Sequence, residues 1–343
     1  MLFLFITDIK ILSGKYYLNI VVMQERPYYT YTKYLKNKYG KTLYKIGVDA
    51  DFSCPNREKN KTGGCIFCDG TGSLAVYQRE EDKDLDIASS IFLKRLKSMD
   101  CQIQRGLNFA KYRYKADLFA LYFQSFSNTY ASVDELKKIY DNALAKADFT
   151  ELIIATRPDL VDRPVLELLK TYKDKVEDVY LELGLQSAKD ETLEYINRGH
   201  DLSSYINAVN LAHEYGIKVT THIMLLPSLE SLDDYLNTVK VVNMVASDAI
   251  KIHNLHVMRN TKLEKLYLSG EVTLASVERH VKEVATILAH LNENIVVQRV
   301  LTETPRQRLV APRHYPDKRD ILEMIDKFMF ENYMKQGSKC IDE

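Results

Sequence analysis

Residues 51–70 read DFSCPNREKNKTGGCIFCDG and gather Cys54, Cys65 and Cys68 in one polar, glycine-containing stretch. The chain has five cysteines in all, so this short stretch holds most of them. Three thiols cannot pair off as disulfides without leaving one over. A closed structural zinc site takes four ligands, and the nearest histidine, His200, lies far down the chain. The cluster therefore asks for a group that accepts three thiolates and keeps a position open. A three-cysteine zinc site completed by a distant residue is the alternative.

The other residues able to do chemistry sit at the ends of apolar runs. The runs are 43–50, 118–123, 151–156, 179–186, 218–226, 249–257 and 294–300. Between them, 84–98, 132–147, 163–173, 203–215, 231–246 and 276–291 carry apolar residues at helical spacing. Alternating strand and helix patterns predict βαβ units and a parallel sheet. Right-handed crossovers wind such a sheet toward a barrel or an open doubly wound sheet. The cysteine stretch follows the first of these strands. In barrel enzymes the loops at that end of the strands build the active site. Polar residues stand at the corresponding tips: Gln124, Ser125 and Ser127, then Thr156 and Arg157, then Gln186 and Ser187. His222 falls within the fifth strand. Lys251 and His253, two apart in the sixth, share one face and are the candidate catalytic residues.

Bulk properties bound the reading. The chain has 343 residues, 46% of them hydrophobic, and 47 acidic against 47 basic side chains. A neutral balance supplies no global field toward nucleic acid or membrane. Clustered, odd-numbered cysteines point to a reducing compartment, hence the cytoplasm, rather than to a secreted disulfide framework. The apolar N-terminus is interrupted by Asp8, Lys10 and Lys15, too often for a span of about 20 residues. It reads either as a hairpin turning at Ser13-Gly14-Lys15 or as an extension before a start at Met23. The expected organisation is an extension over 1–25, one catalytic barrel over 26–300, and a basic extension with a helix over 301–343. No pattern sets an oligomeric state.

The cysteine loop, with Phe67 in Cys-x-aromatic-Cys, resembles the radical S-adenosylmethionine (SAM) superfamily. Its gaps of ten and two residues are similar to those of the branch containing the elongator catalytic subunit. ATRPDLVD (155–162) and ELGLQSAKDETLEYINRGHD (182–201) resemble that branch's third- and fourth-strand signatures, the latter shared with oxygen-independent coproporphyrinogen oxidases. The likeness extends to the bacterial YtqA/MnmL-type, YhcC-like group, associated with modifying tRNA wobble uridines. It implies a partial (β/α)6 TIM-like barrel, with short additions at both ends. It also implies a [4Fe–4S] cluster held by Cys54, Cys65 and Cys68, with SAM on the open iron. By the same resemblance Gln186 contacts SAM and Arg198 pairs with its carboxylate, the alternative for Arg198 being a surface cation. Gln124 and Ser125 occupy the place that receives SAM's amino group, although the usual Gly-Gly-Glu is absent. Ser187 accompanies Gln186, and His222 stands where relatives have a polar ribose contact, the alternative being a satisfied core histidine. LLPSLE replaces the glycine-rich end common to the fifth strand. A flavodoxin- or ferredoxin-type electron donor follows from the same chemistry.

For a substrate, residues 26–45 hold six Lys/Arg and six Tyr without an acid. Cations interleaved with rings fit a tRNA loop, or else a solvated helix whose tyrosines cover the barrel base. A second basic stretch covers 298–319. Three readings stand: a tRNA-modifying radical enzyme acting on the C5 substituent of wobble uridine, a radical enzyme for a small metabolite, or a zinc-stabilised nucleic-acid-binding module without catalysis.

Overall fold

The computed structural model describes residues 4–12, 15–22, 25–58, 64–70 and 91–340. β1 (Leu4–Leu12) and β2 (Lys15–Val22) pair antiparallel, the hairpin read from the sequence. Ser13 and Gly14 of its expected turn, like Met23, lie outside the described residues. α1 (Tyr31–Tyr39) then leads into the α/β core. In order, the core runs β3 (Leu43–Val48), α2 (Pro55–Glu58), α3 (Ile91–Tyr114), β4 (Leu118–Phe123), α4 (Val133–Leu144), β5 (Glu151–Thr156) and α5 (Arg163–Thr171). It continues through β6 (Asp178–Gln186), α6 (Asp190–Tyr195), α7 (Leu202–Glu214), β7 (Lys218–Leu225), α8 (Leu232–Met244) and β8 (Ala249–Asn254). β9 (Val257–Met258), α9 (Lys262–Leu268), α10 (Val277–His290), β10 (Val296–Arg299), β11 (Leu309–Ala311) and α11 (Lys318–Glu331) complete the chain.

Seven strands form one parallel sheet in the order β10-β8-β7-β6-β5-β4-β3. It curls into a partial barrel, because Lys45 on one edge strand meets Gln298 on the other at 2.7 Å. Strand alternation sorts the side chains. Leu121, Phe123, Leu152, Ile154, Leu181, Leu183, Ile250 and Ile252 face the helices and are buried in the main core. The intervening positions face the lumen. Helix starts carry the expected caps: the side chains of Ser132, Asp162, Asp201 and Ser276 accept from the third residue of their helices, and Ser231 forms a capping box with Asp234.

Two elements differ from the sequence reading. The helix expected over 84–98 runs on to Tyr114, since Met99, Ile103, Leu107 and Ala110 keep one face buried past the polar Asp100 and Gln102; residues 84–90 lie outside the described part. The run 249–257 divides after Asn254, and its end pairs with β11 instead of joining the sheet.

α1 closes the floor of the barrel. Residues 29–30 pair beside β10, with Val297 N–H donating to the Tyr29 carbonyl at 2.8 Å. The Tyr31 and Tyr39 hydroxyls then donate to Glu151 at 3.0 and 3.1 Å, and Tyr34 meets Tyr180 at 2.9 Å. Lys38 and Lys218 pair with Asp178. Glu151, Asp178 and Lys218 each open a strand, so this is the end opposite the cysteine loop. None of the segment's six tyrosines is exposed. The expectation that they stack on RNA gives way to the alternative, tyrosines covering the barrel base. Among the described residues, no helix is long and apolar enough to cross a membrane.

Candidate active site at the mouth of the barrel

The cysteine loop leaves β3 and is pinned by Ile66. That side chain is buried in a second apolar cluster with Leu193, Ile196, Leu226, Leu255 and Leu263. Its N–H donates to the Ile196 carbonyl at 3.0 Å, and its carbonyl accepts from Leu263 at 2.9 Å. Both neighbouring thiols are thereby fixed to α6 and α9. Beside Cys68, Asp69 accepts from Arg308, whose Nε lies 2.9 Å away. One arginine of the basic 298–319 stretch thus clasps this loop.

The segment after α6 forms the other wall. Asn197 reaches the Gly64 carbonyl at 2.7 Å, and Asn56 of α2 donates to the Asn197 carbonyl at 2.7 Å and toward Cys65 Sγ at 3.7 Å. Arg198 is buried, not a surface cation. Its Nε and Nη2 donate to the Gly184 carbonyl at 3.2 and 2.8 Å, and Nη1 points to Cys65 Sγ at 3.6 Å. Arg157 lies behind it, held by Asp159, and donates to the carbonyls of Arg198 and Gly199. Gly184 is needed here because a Cβ would stand 2.5 Å from Arg198 Nη2 and 2.6 Å from Gln186 Nε2. Gln186 itself has a left-handed φ of 74°, an uncommon conformation for a residue with a Cβ.

Cys54, Cys65 and Cys68 are all free thiols. Burial pushes Cys68 up, while the Gly70 N–H and the Arg57 cation act in the opposite sense. Among the described residues, no three His, Cys, Asp or Glu side chains stand together closely enough to hold a metal ion. The donor chemistry does fit an iron–sulfur group: three thiols on one loop, arginines beside them, and N–H groups directed at a sulfur.

Below the mouth, the lumen contains a buried polar cluster that sequence reasoning found only in part. Glu182 has no exposed side-chain surface. It accepts from Lys251 at 2.6 Å on both oxygens, from Tyr122 at 2.5 Å, from His222 at 3.1 Å and from Lys45 at 3.2 Å. Burial alone would raise its pKa, but Lys251, Lys45 and His222 outweigh that and hold it well below the usual range. Burial and the cations Lys45 and Arg299 pull Lys251 well below its ordinary value, although the Glu182 carboxylate acts in the opposite sense. Burial and Lys251 bring His222 to about 4. His253 is also held low, by burial and by His222, whose ring centroid is 5.2 Å away.

The structure thus brings together Cys65 and Arg198 at the loop, and Lys251, His253 and His222 in the lumen. Gln186 stands beside Arg198 over Gly184. Gln124 follows β4 with its N–H on the Val48 carbonyl at 3.1 Å, and Ser125 is buried next to it. Ser187 is not brought to this group: it is fully buried and donates to Glu230. The sequence reading missed Glu182, Lys45, Tyr122, Asn56 and the Asp69–Arg308 pair. Lone charged residues at lumen-facing positions of otherwise apolar strands were the available signal for the first two.

A parallel partial barrel with a thiol loop at its strand ends defines a class of barrel enzyme architecture. Residues 109–242 match the radical SAM superfamily and 247–331 the radical SAM C-terminal domain. The chain is 31% identical over 333 residues to the uncharacterized protein MJ0486 of Methanocaldococcus jannaschii, covering 97% of this chain and 96% of that one. It is 30% identical to protein YhcC of Escherichia coli K12, covering 89% and 92%. The chain belongs to the radical SAM superfamily. A tRNA uridine(34) acetyltransferase of M. jannaschii is 26% identical over 61% of this chain and 37% of its own length. Among solved structures, the archaeal Methanocaldococcus infernus Elp3 with an N-terminal deletion superimposes with a TM-score of 0.64 at 16% identity. That match covers 86% of this chain but only 64% of that one, and it speaks for the fold alone.

Proposed function

We propose that this chain is a radical SAM enzyme that modifies the C5 substituent of tRNA wobble uridine, converting carboxymethylaminomethyl to aminomethyl. Cys54, Cys65 and Cys68 would hold a [4Fe–4S] cluster, with SAM as co-substrate and a flavodoxin- or ferredoxin-type protein as electron donor. When bound, that cluster supplies the electron that splits SAM into methionine and a 5′-deoxyadenosyl radical. The observation that carries the reading is the buried Arg198 bridging the Gly184 carbonyl and the Cys65 sulfur. It places a guanidinium beside the Cys65 sulfur and fixes the fourth-strand segment against the loop. Gln186 and Arg198 line that junction, the place assigned to SAM. Similarity to a tRNA uridine(34) acetyltransferase supports the choice of substrate.

A small-metabolite substrate is favoured by one observation: the lysine–tyrosine segment that suggested RNA is built into the barrel floor. Two measurements test the proposal. Anaerobically purified protein should carry about four irons per chain with labile sulfide, lost on Cys54→Ala, Cys65→Ala or Cys68→Ala and kept on Cys340→Ala. Stoichiometric zinc without sulfide overturns the cluster. Nucleosides of tRNA from cells with and without the gene should differ at the wobble uridine; identical profiles move the substrate to a small metabolite.

A further inference from the structure

The lumen cluster is unbalanced. Lys251 and Lys45 both reach the carboxylate of Glu182, Lys45 also lies in the field of the buried Glu151, and it donates to the Gln298 side chain at 2.7 Å. Arg299 adds a third cation. It pairs in register with Lys251 across β10 and β8, and its charge is felt by Tyr122, His222, Lys251 and His253. It is an exposed residue, and it makes no ion pair or side-chain hydrogen bond among the described residues.

Beside it, His253 Nδ1 lies 2.8 Å from the Thr302 hydroxyl, while Nε2 is buried with no partner. When Thr302 donates to Nδ1, Nε2 carries the proton and becomes a buried donor without an acceptor. The amide nitrogen of Asn254, at the same strand end, is also buried and unpartnered. Buried donors without acceptors are costly in a low-dielectric interior, and the exposed Arg299 beside them has no ion-pair partner among the described residues. One negatively charged acceptor relieves both at once. A cation would meet repulsion here, and an apolar group would leave the donors unsatisfied.

We propose that the lumen holds an oxyanion site built from Arg299 and His253, with Lys251 and Lys45 as supporting charge, which takes a carboxylate or phosphate group of the substrate. The site deepens the enzymatic reading above, since the lumen opens below the cysteine loop, but it requires neither RNA nor a bound cluster to be detected. Arg299 supplies a planar fork suited to two oxygens. Glu182 keeps Lys251 in place beneath it, so the anion is received at the mouth and not drawn deeper.

Calorimetric titration of the purified chain in chloride-free buffer tests this, with sodium acetate and inorganic phosphate as probes. The parent should bind at least one of them, and the preferred probe names the carboxylate or phosphate source. Arg299→Gln should weaken that binding at least tenfold while leaving thermal stability unchanged, because Arg299 is exposed and makes no ion pair among the described residues. Arg306→Gln, at an exposed position elsewhere on the basic stretch, should bind as the parent does. Equal binding by Arg299→Gln and the parent, or equal losses in both variants, overturns the site. Weakened SAM binding in Arg299→Gln, in parallel with the probe, would assign the anion to SAM's own carboxylate and overturn the substrate assignment. Absence of any tRNA effect would refute the proposed substrate while leaving the anion site standing.

Discussion

Glu182→Gln is the most informative single change to the interior. The native carboxylate accepts from four side chains, two of them ammonium groups, with no exposed surface. Glutamine keeps the shape but offers one carbonyl oxygen and turns an N–H₂ toward groups that are themselves donors. Removing one member of a buried ion pair costs about 3–5 kcal/mol, and the shared charge here places the expected loss in that range. Lys251 can lower the cost by releasing its proton, since burial already pulls its pKa down. The double variant Glu182→Gln/Lys251→Met should therefore lose less than the sum of the two single changes, by about 1.5 kcal/mol or more. Urea denaturation of the four proteins measures both quantities, with the slope checked for constancy. A Glu182→Gln protein within about 0.5 kcal/mol of the parent would refute the claim that this carboxylate neutralises the lumen lysines.

Two further outcomes follow from groups away from the cysteine loop. Burial holds His222, His256 and His280 at about 4, so between that pH and the unfolded value of about 6.5 the unfolded chain binds protons that the folded chain does not. Their contribution is complete above about 6.5 and falls as pH drops toward 4, by up to about 1.4 kcal/mol per pH unit per group. His280→Gln should flatten the measured stability-versus-pH slope in that window by close to one proton; an unchanged slope contradicts the assignment. At the floor, Lys38→Glu would set a like charge against Asp178 and should lower stability by about 1–3 kcal/mol, whereas Lys36→Glu, on an exposed residue, should change it by less than about 0.5 kcal/mol. Equal thermal stability of both variants would mean that the floor ion pair contributes nothing.

The sheet was legible because its strands are buried on both faces and so read as compact apolar runs. The run 118–123 and the strand Leu118–Phe123 coincide, and the helix patterns between runs held wherever one face packs on the sheet. Legibility failed where tertiary contacts override local pattern. α1 has no plain apolar stripe, because Tyr31, Tyr34 and Tyr39 use their hydroxyls on strand-end acids 112 to 144 residues away. No window of sequence contains both partners. Six cations and six rings without an acid therefore looked like an RNA surface, when the acids were waiting at the starts of β5 and β6.

The site divides along the same line. The three cysteines announce themselves by type and spacing, and the Asn197-Arg198-Gly199 segment by its likeness to a known signature. What joins them is invisible in one dimension. Ile66, an ordinary apolar residue between two cysteines, pins the loop through backbone bonds to Ile196 and Leu263. Arg308 clasps Asp69 across 239 residues. Glu182 sat in plain view within VYLELGLQ, yet one acid in an apolar strand carries no meaning until the barrel closes and sets Lys45, His222 and Lys251 around it. Closure also sets the count of charges that leaves Arg299 without an ion-pair partner among the described residues. The reactive groups of this chain can be read from their identities, but the sign of the lumen's field follows only from which strands become neighbours.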